Sequence, residues 1–335
     1  MMLEGKTVLI TGGTGSLGKA LTTRLLKMKV EKVRILSRNE NKQVMMESEF
    51  DDDRLRFFIG DTRDYSRLKR AMEDVDIVFH AAALKHVPVI EYNPFEAIKT
   101  NVIGSQNVIN AGLEENVGVM VGVGTDKAVS PLNTYGATKL LMEKLFVTAG
   151  NFLDPDRHKT KFLSLRYGNV LGSSGSVIPK FIEQIKLNKK ITITDSEMTR
   201  FSITMDEALD FILDSTISSK GSEVFVPKLR AYKIGDVRDV LQELLKDTGE
   251  EKIPVRQGEK YHETLINIDE MRTTIESESK YVILKKEISE KEMIELYPGF
   301  KKTTMAEIYS SDKVEKISKN ELKINIESLL GSQIN

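Results

Sequence analysis

The chain has 335 residues, and its 49 Lys plus Arg against 50 Asp plus Glu leave a formal net charge of −1, which argues against nucleic-acid binding because such proteins carry a basic face. It has no cysteine, which excludes disulfides and cysteine nucleophiles, and its histidines lack metal-site spacing, so we predict no metal. No run approaches the roughly 18 apolar residues of a membrane span, and no signal peptide is evident. We expect a cytoplasmic protein that binds no membrane.

The first two-thirds of the chain alternates short apolar runs with longer periodic segments. The runs predict strands over 6–11, 32–37, 55–60, 76–81, 117–123 and 161–167. The periodic segments predict helices over 17–29, 41–50, 65–72, 94–115 and 134–149. This alternation indicates an α/β fold, with a Rossmann-type doubly wound parallel sheet covered by helices on both faces.

After residue 169 the elements become shorter and more scattered. We predict helices over 176–187, 205–215 and 237–246, and strands over 191–194, 223–227 and 252–256. They indicate a smaller, partly interwoven C-terminal substrate-binding domain. We expect the Rossmann-type domain over 1–170 with later segments returning to it, the substrate domain mainly over 171–285, and a tail of unassigned role over 286–335. The Lys/Glu-rich chain beyond 277 is expected to pack marginally, with one short helix near 320–330.

A glycine-rich loop follows the first strand and precedes the first helix. Gly12, Gly15 and Gly18 have the spacing that permits a tight turn, close approach of a pyrophosphate and close helix packing. The helix N-terminus then offers N–H groups to the anion. We favour a dinucleotide site over a plain glycine-rich turn, with the intervening side chains Thr14, Ser16 and Leu17 beside it.

The end of the second strand indicates which dinucleotide is bound. An acidic residue there would bind the ribose of NAD, but the chain has Ser37 and Arg38, followed by Lys42. These groups suit a 2′-phosphate, so we predict NADP; the alternative is that Arg38 and Lys42 are surface charges. Further cofactor contacts are expected at Asp61, near the adenine, and at three small residues that also fit simple core packing: Ala81, Ala82 and Ala83.

Tyr135 and Lys139 lie four residues apart on one predicted helix and therefore share a face. A neighbouring ammonium group lowers the pKa of a phenol by stabilising the phenolate. Such a tyrosine deprotonates a substrate hydroxyl while hydride leaves for the nicotinamide. A Tyr-x-x-x-Lys pair alone is mostly structural, but its position after the fifth strand makes this pair a candidate catalytic pair.

The chain resembles the extended short-chain dehydrogenase/reductases, and within them the UDP-N-acetylglucosamine 4,6-dehydratases that invert C5 and open the pseudaminic acid pathway. The resemblance rests on the glycine-rich loop, on Thr125 with Tyr135 and Lys139, and on Asn101 in the preceding helix. Further matching stretches are 80–88, 91–94, 125–139, 166–170, 173–179, 194–201 and 256–263. The resemblance implies that Asn101 and Lys85 lie near the cofactor and that relatives form dimers or larger rings, so we expect a homo-oligomer.

The same resemblance assigns the dehydration to Asp126 and Lys127. Tyr135 removes the O4 proton as hydride leaves C4, a neutral Lys127 removes the C5 proton, and a protonated Asp126 donates to the departing C6 hydroxyl. Hydride then returns to C6, and C5 is reprotonated from the opposite face. The alternative for these two residues is a loop salt bridge. Tyr135 also favours the inverting branch, because retaining relatives often have Met there.

The resemblance further implies a site for the substrate, UDP-N-acetylglucosamine. Arginines suit a diphosphate because they bind it in a bidentate manner. The expected substrate residues are Lys85, Asn169, Val177, Lys180, Thr194, Met198, Arg200, Arg256 and Glu259. Ser174 departs from the family pattern, which often has Arg there, and this puts one phosphate or oligomer contact in doubt.

Two other functions remain open at this point. A UDP-hexosamine C4- or C5-epimerase would use the same fold, although the Asp126–Lys127 pair argues against a pure C4-epimerase. A non-catalytic NADP-binding protein would have no need for Thr125, Tyr135 and Lys139 together.

Overall fold

The structure is a computed structural model that describes residues 3–153, 158–173, 175–256 and 258–331. Its first half alternates strands and helices as predicted. The strands are β1 (Thr7–Thr11), β2 (Lys32–Ser37), β3 (Leu55–Ile59), β4 (Ile77–His80), β5 (Val119–Val123) and β6 (Lys161–Leu165). The helices are α1 (Ser16–Lys27), α2 (Glu40–Phe50), α3 (Tyr65–Met72), α4 (Val87–Tyr92), α5 (Pro94–Ala97), α6 (Gly104–Glu114) and α7 (Thr134–Ala149).

The second half contributes shorter elements. Its helices are α8 (Val177–Lys186), α9 (Met205–Ser218), α10 (Ile234–Leu244), α11 (Glu290–Leu296) and α12 (Lys319–Gly331). Its strands are β7 (Ile191–Ile193), β8 (Thr199–Phe201), β9 (Glu223–Pro227), β10 (Ala231–Lys233), β11 (Glu250–Lys252), β12 (Thr264–Ile266), β13 (Thr274–Glu276), β14 (Lys280–Ile283), β15 (Lys301–Lys302) and β16 (Tyr309–Ser310). The helix expected near 320–330 is confirmed by α12, whereas the strand expected over 252–256 lies earlier, in β11.

Ten strands form the central sheet, in the order β15-β13-β14-β9-β6-β5-β4-β1-β2-β3. Strands β1 to β6 and β9 pair in parallel, and the other three pair antiparallel. The order 3-2-1-4-5-6 is that of a doubly wound dinucleotide-binding sheet. The predicted fold class is therefore confirmed.

Both faces of the sheet are covered, which explains the continuous apolar runs of its strands. Val8 and Ile10 of β1 pack in one core cluster, and Leu9 between them packs in the cluster on the other face. A third cluster joins α8, α10 and α12 away from the sheet, with Phe181, Tyr232 and Ile326 among its buried members. This third core lies under the C-terminal elements, and the domain boundaries drawn above remain a prediction.

Two further expectations about the fold were wrong. The helix predicted over 94–115 is interrupted by a π-helix (Ile98–Ile103), and α4 precedes it. The chain beyond 277 does not pack marginally: β14 is buried in the central sheet and pairs with β9. Its charged neighbours hid this strand, because Lys280 and Glu276 are buried with partners, Asp214 and Lys228 respectively.

Candidate active site

The glycine-rich loop lies between β1 and α1 and is packed too tightly for side chains at two positions. Gly12 has a φ of +69°, and a Cβ atom there would lie 2.9 Å from the Cα atom of Ala82. A Cβ atom at Gly18 would lie 2.3 Å from the carbonyl oxygen of Gly13. Gly15 caps α1 without a side-chain hydrogen bond. The loop therefore presents the backbone and helix N-terminus that suit a pyrophosphate.

Polar side chains from β2 and β3 meet this loop. The hydroxyl oxygens of Thr14 and Ser37 are 2.8 Å apart, and the Arg38 guanidinium lies 3.7 Å from the Asp61 carboxylate. Partial burial alone would raise the pKa of Asp61, but its hydrogen bonds from Arg63 hold that pKa below its usual value. The structure thus brings Thr14, Ser37, Arg38 and Asp61 to one edge of the sheet.

The remaining predicted cofactor residues surround the same edge. Ser16 and Leu17 begin α1, and Lys42 is exposed on the first turn of α2. Ala81, Ala82 and Ala83 follow β4, and the Ala82 N–H donates to Thr11 Oγ1 at 3.3 Å. The short side chains of this segment leave its backbone against Gly12.

Asn101 fastens two loops of the site from inside the π-helix. Its Oδ1 accepts from the Leu84 N–H at 2.8 Å, and its Nδ2 donates to the Leu84 carbonyl and to Thr138 Oγ1, both at 3.0 Å. Leu84 precedes Lys85, and Thr138 lies on α7 with Tyr135. The buried amide therefore holds the loop after β4 against the helix that carries the candidate catalytic tyrosine.

The predicted acid/base pair forms a 3₁₀ turn directly after β5. Lys127 Nζ lies 3.0 Å from Asp126 Oδ1, and the Thr125 hydroxyl donates to that same oxygen at 2.8 Å. Asp126 is 1% exposed. Lys127 Nζ also donates to Asn169 Oδ1 at 3.1 Å, so Asn169, a predicted substrate residue, lies beside the pair.

The resting pair is an ion pair, and this differs from the neutral lysine expected. Burial alone would lower the pKa of Lys127, but the charges of Asp126 and Glu263 raise it well above its usual value. The salt bridge that the sequence left as an alternative is therefore present, at the place where the acid/base pair was expected. Whether the pair is only a salt bridge or also an acid/base pair, its resting form has a charged Lys127.

Tyr135 and Lys139 share a face of α7, but Lys139 does not lower the pKa of the phenol as expected. Lys139 Nζ donates to the Val123 carbonyl at 2.6 Å, and burial lowers its own pKa to about 8. Burial raises the pKa of Tyr135, as does Asp126, whereas Lys127 and the Thr125 hydroxyl lower it. The cation that acts on Tyr135 is thus Lys127, because the Lys139 side chain turns to β5.

A cavity of about 720 Å³ opens beside Tyr135 and Lys127. Thr125 also lines it, whereas Asp126 and Lys139 are buried behind its wall. All nine predicted substrate residues line it, namely Lys85, Asn169, Val177, Lys180, Thr194, Met198, Arg200, Arg256 and Glu259. Its size is typical of a small-molecule site.

Cations lie along this cavity. Partial burial lowers the pKa of Lys85 and of Lys180, aided by Lys127 and Arg256 respectively. The buried Arg200 guanidinium lies 3.6 Å from Glu259 and 3.8 Å from a second carboxylate, Glu263. The lining thus combines positive charge for an anionic ligand with carboxylates that accept from hydroxyl groups.

The helix α8 begins at this cavity with an unused hydroxyl. Its N-cap residue Ser176 is 9% exposed, and the Ser176 Oγ atom has no hydrogen-bond partner among the described residues. Lys180 follows one turn later and donates to Thr192 Oγ1 at 2.6 Å. A helix N-terminus with a buried hydroxyl and a lysine suits a phosphate group.

Sequence reasoning missed Ser176 and Glu263 as site residues. Both lie inside stretches that were singled out, yet neither occupies a recognisable motif position. Only their burial, with an unpartnered polar atom beside the cavity, distinguishes them. The predicted departure at Ser174 lies outside the described residues.

Within the described ranges, no three His, Asp or Glu side chains are grouped to hold a metal ion, and no helix is long and apolar enough to cross a bilayer.

The chain is similar to known proteins in sequence and in fold. A family model described as polysaccharide biosynthesis protein matches residues 8–285. A UDP-N-acetylglucosamine 4,6-dehydratase (inverting) of Campylobacter jejuni is 48% identical over 284 residues, 84% of each chain. A UDP-glucose 4-epimerase of Rickettsia bellii is 39% identical over 96% of this chain and 95% of its own. The X-ray structure of Pen from Bacillus thuringiensis covers 98% of this chain and 100% of its own, with 39% identity and a TM-score of 0.89.

The match over 8–285 spans the glycine-rich loop, the Asp126–Lys127 pair and the cavity, and the dehydratase relative covers most of the chain. This chain therefore belongs to the polysaccharide biosynthesis protein family of extended short-chain dehydrogenase/reductases, which includes inverting UDP-N-acetylglucosamine 4,6-dehydratases.

Proposed function

We propose that this protein is a UDP-N-acetylglucosamine 4,6-dehydratase that inverts C5. Its product is a UDP-2-acetamido-2,6-dideoxy-hexos-4-ulose, formed by oxidation at C4, elimination of water across C5 and C6, and reduction at C6. The observation that carries the proposal is Lys127, which lines the cavity beside Tyr135 and is paired at 3.0 Å with the buried carboxylate of Asp126. An enzyme that only oxidises and reduces C4 needs no second acid/base pair, whereas elimination needs both an acid and a base.

The cofactor we propose is NADP, bound tightly and recycled. The loop from Thr11 to Gly18 fits a pyrophosphate, because a Cβ atom at Gly12 would close the space against Ala82. Ser37 and Arg38 would hold the 2′-phosphate, and the Ala81–Ala83 segment would lie along the cofactor. A bound nicotinamide supplies hydride acceptance from C4 and hydride return to C6.

The UDP group is proposed to lie along the cationic part of the cavity. Its diphosphate would meet the N-terminus of α8 with Ser176 and Lys180, together with Arg200 and Arg256. Glu259 would accept from a ribose hydroxyl. This placement puts the sugar at the other end of the cavity, against Lys85, Lys127 and Tyr135.

The protons balance within the site once Tyr135 is ionised. Because burial favours the neutral phenol, Tyr135 first releases its proton to solvent, and Lys127 and the Thr125 hydroxyl stabilise the phenolate. The phenolate then takes the O4 proton, which activates C4 for oxidation. One proton then moves from Lys127 to Asp126 along their 3.0 Å contact, giving a neutral base and a protonated acid without exchange with solvent. Lys127 takes the C5 proton and Asp126 donates to the C6 hydroxyl, which leaves as water, so elimination restores the original ion pair. The proton from O4 balances the one that C5 later gains on its opposite face.

The first test mixes the purified protein with UDP-N-acetylglucosamine and no added cofactor. The expected result is that the intact nucleotide sugar loses one water, which is measured by mass spectrometry. Lys127→Ala should abolish that loss. Denaturation should release NADP. Release of NAD would refute the cofactor assignment but not the dehydratase function.

Other products would refute the dehydratase. Conversion of the substrate to UDP-N-acetylgalactosamine at unchanged mass would establish an epimerase, the alternative that the Rickettsia relative favours. Bound NADP with no turnover of any UDP-hexosamine would favour the non-catalytic alternative. We further propose a cytoplasmic homo-oligomer that serves pseudaminic acid synthesis; these assignments are supported by the family resemblance.

A further inference from the structure

Glu263 lies directly under the acid/base pair and has an unused oxygen. It is 3% exposed, and its Oε1 atom lies 3.5 Å from Lys127 Nζ and 3.8 Å from Arg200 Nε. Its Oε2 atom is buried and has no hydrogen-bond partner among the described residues. Burying a carboxylate lowers stability unless an opposite charge or a hydrogen bond compensates it. The nearest opposite charge is the ammonium group of Lys127.

Three side chains surround the ammonium group of Lys127. Lys127 Nζ donates hydrogen bonds to Asp126 at 3.0 Å and to Asn169 at 3.1 Å, and it forms an ion pair with Glu263 at 3.5 Å. Glu263 thus adds a second negative charge to the two hydrogen bonds that orient the ammonium group. Asp126 and Asn169 follow strands β5 and β6 at the same edge of the sheet, whereas Glu263 reaches the lysine from a distant part of the chain.

The C-terminal segment fixes Glu263 in this place. The Glu263 N–H donates to Ser311 Oγ at 2.9 Å, and the Ser311 N–H donates to the Glu263 carbonyl at 2.8 Å. Ser311 Oγ also lies 2.7 Å from Thr199 Oγ1, next to Arg200. Ser311 is fully buried. This clamp places the tail of otherwise unassigned role in contact with the active-site wall.

We propose that Glu263, clamped by Ser311, is a positioning residue for the elimination: it aims the amino group of Lys127, and its charge governs which member of the Asp126–Lys127 pair carries their shared proton. This inference rests on the proposed dehydratase function. It adds a third acidic group to the pair and gives the C-terminal segment a role in catalysis.

Several charged and titratable groups face Lys127 and Glu263. They are Lys85, Asp126, Tyr135, Arg200, Tyr232 and Lys260. Within the described chain, Asp126 and Glu263 are the carboxylates within 4.0 Å of Lys127 Nζ. Removing the charge of Glu263 therefore leaves Asp126 as the sole carboxylate at that distance, while the surrounding cations are unchanged.

The charge of Glu263 should affect the pH dependence of the dehydration rate. The elimination needs one shared proton on the Asp126–Lys127 pair, so the rate falls when the pair gains a second proton at low pH and when it loses its only proton at high pH. A nearby carboxylate favours the protonated forms. Without it both protons leave more readily, and both limbs of the pH–rate profile move to lower pH.

The experiment compares Glu263→Gln with Glu259→Gln. Both carboxylates contact Arg200, but only Glu263 contacts Lys127, so the two variants are matched. Dehydration of UDP-N-acetylglucosamine, with protium and with deuterium at C5, is measured from pH 4 to 11. The isotope effect identifies the C5 proton transfer, and the alkaline end of the range is needed because the pKa of Lys127 is raised. Glu263→Gln should move both limbs down by about one pH unit, whereas Glu259→Gln should raise KM and leave the limbs in place.

Two further variants keep the inference open to refutation. Glu263→Asp retains the charge and should restore the wild-type limbs at a reduced rate. Ser311→Ala should lower kcat with little effect on KM. An unmoved profile in folded Glu263→Gln, or an equal shift in Glu259→Gln, would overturn the inference while wild-type dehydration stood. A wild-type protein that releases no water would instead remove the function on which the inference rests.

Discussion

Replacing Arg166 by methionine should lower the free energy of unfolding by about 3–5 kcal/mol. Arg166 is 1% exposed and makes five hydrogen bonds: two to Glu143, two to Glu270 and one to the Leu265 carbonyl, between 2.6 and 3.1 Å. Glu143 lies on α7 one turn after Lys139 and is fully buried. Methionine fills much of the volume but leaves two carboxylates facing each other without a cation.

The assay is urea unfolding at pH 7.5, with Arg230→Met as the matched control. Arg230 pairs with Glu321 in two contacts, but its side chain is 45% exposed. An exposed pair contributes at most about 1 kcal/mol, so the control should change little. A loss below 1 kcal/mol in Arg166→Met, or equal losses in the two variants, would refute the reasoning that burial makes this network costly to break.

The pH dependence of this difference follows from Glu270. Burial alone would raise its pKa, but the hydrogen bonds from Arg166 lower it below its usual value. A carboxylate with a lowered folded pKa contributes stability above its unfolded pKa of about 4.3, and this stability is lost as pH falls through the folded pKa. Without Arg166, burial would raise the pKa of Glu270 above its usual value. The gap between wild type and Arg166→Met should therefore be full only above that raised pKa, and it should narrow as pH falls from there toward the lowered pKa of the wild type.

Two other predictions concern the cofactor and the first proton transfer. Tyr135→Phe should reduce turnover by about 10²–10⁴-fold without loss of bound cofactor, measured as dehydration and as nucleotide per chain; full turnover would exclude the phenol as the base. Gly12→Ala should release the cofactor on gel filtration, because the added carbon would lie 2.9 Å from Ala82; retained cofactor would show that the loop does not bind it as proposed.

The fold was predictable wherever burial on both faces produced continuous apolar runs. Strands β1 to β6 followed from such runs, and the glycines then placed the loop between β1 and α1. The sequence pattern did not predict the π-helix, and the hydrogen bonds that Asn101 makes from it, to Leu84 and Thr138, join residues far apart in the chain. Strand β14 was not predicted because it contains a lysine, Lys280, which is buried through an ion pair with Asp214 of helix α9.

The site shows the same division between local and distant causes. Asp126, Lys127, Tyr135 and Lys139 lie within 14 consecutive positions. Spacing identified Tyr135 and Lys139, and the family resemblance identified the pair before them. Spacing predicted that Lys139 lowers the pKa of Tyr135. The lysine side chain is long enough to reach the Val123 carbonyl, however, and it donates a hydrogen bond there instead. Glu263 and Ser311 come together 48 residues apart, and no local pattern marks a pair of that kind.

A charged Lys127 is compatible with its proposed role as a base. The pair needs the same single proton in the resting and the working form, and the 3.0 Å contact carries it between them. The resting form is favoured because Glu263 adds a second negative charge to the ammonium. A cavity that excludes water weakens this preference, since separated charges are costly in a poorly hydrated site. Substrate binding itself would therefore shift the proton toward Asp126, so that the base forms only where there is a C5 proton to remove.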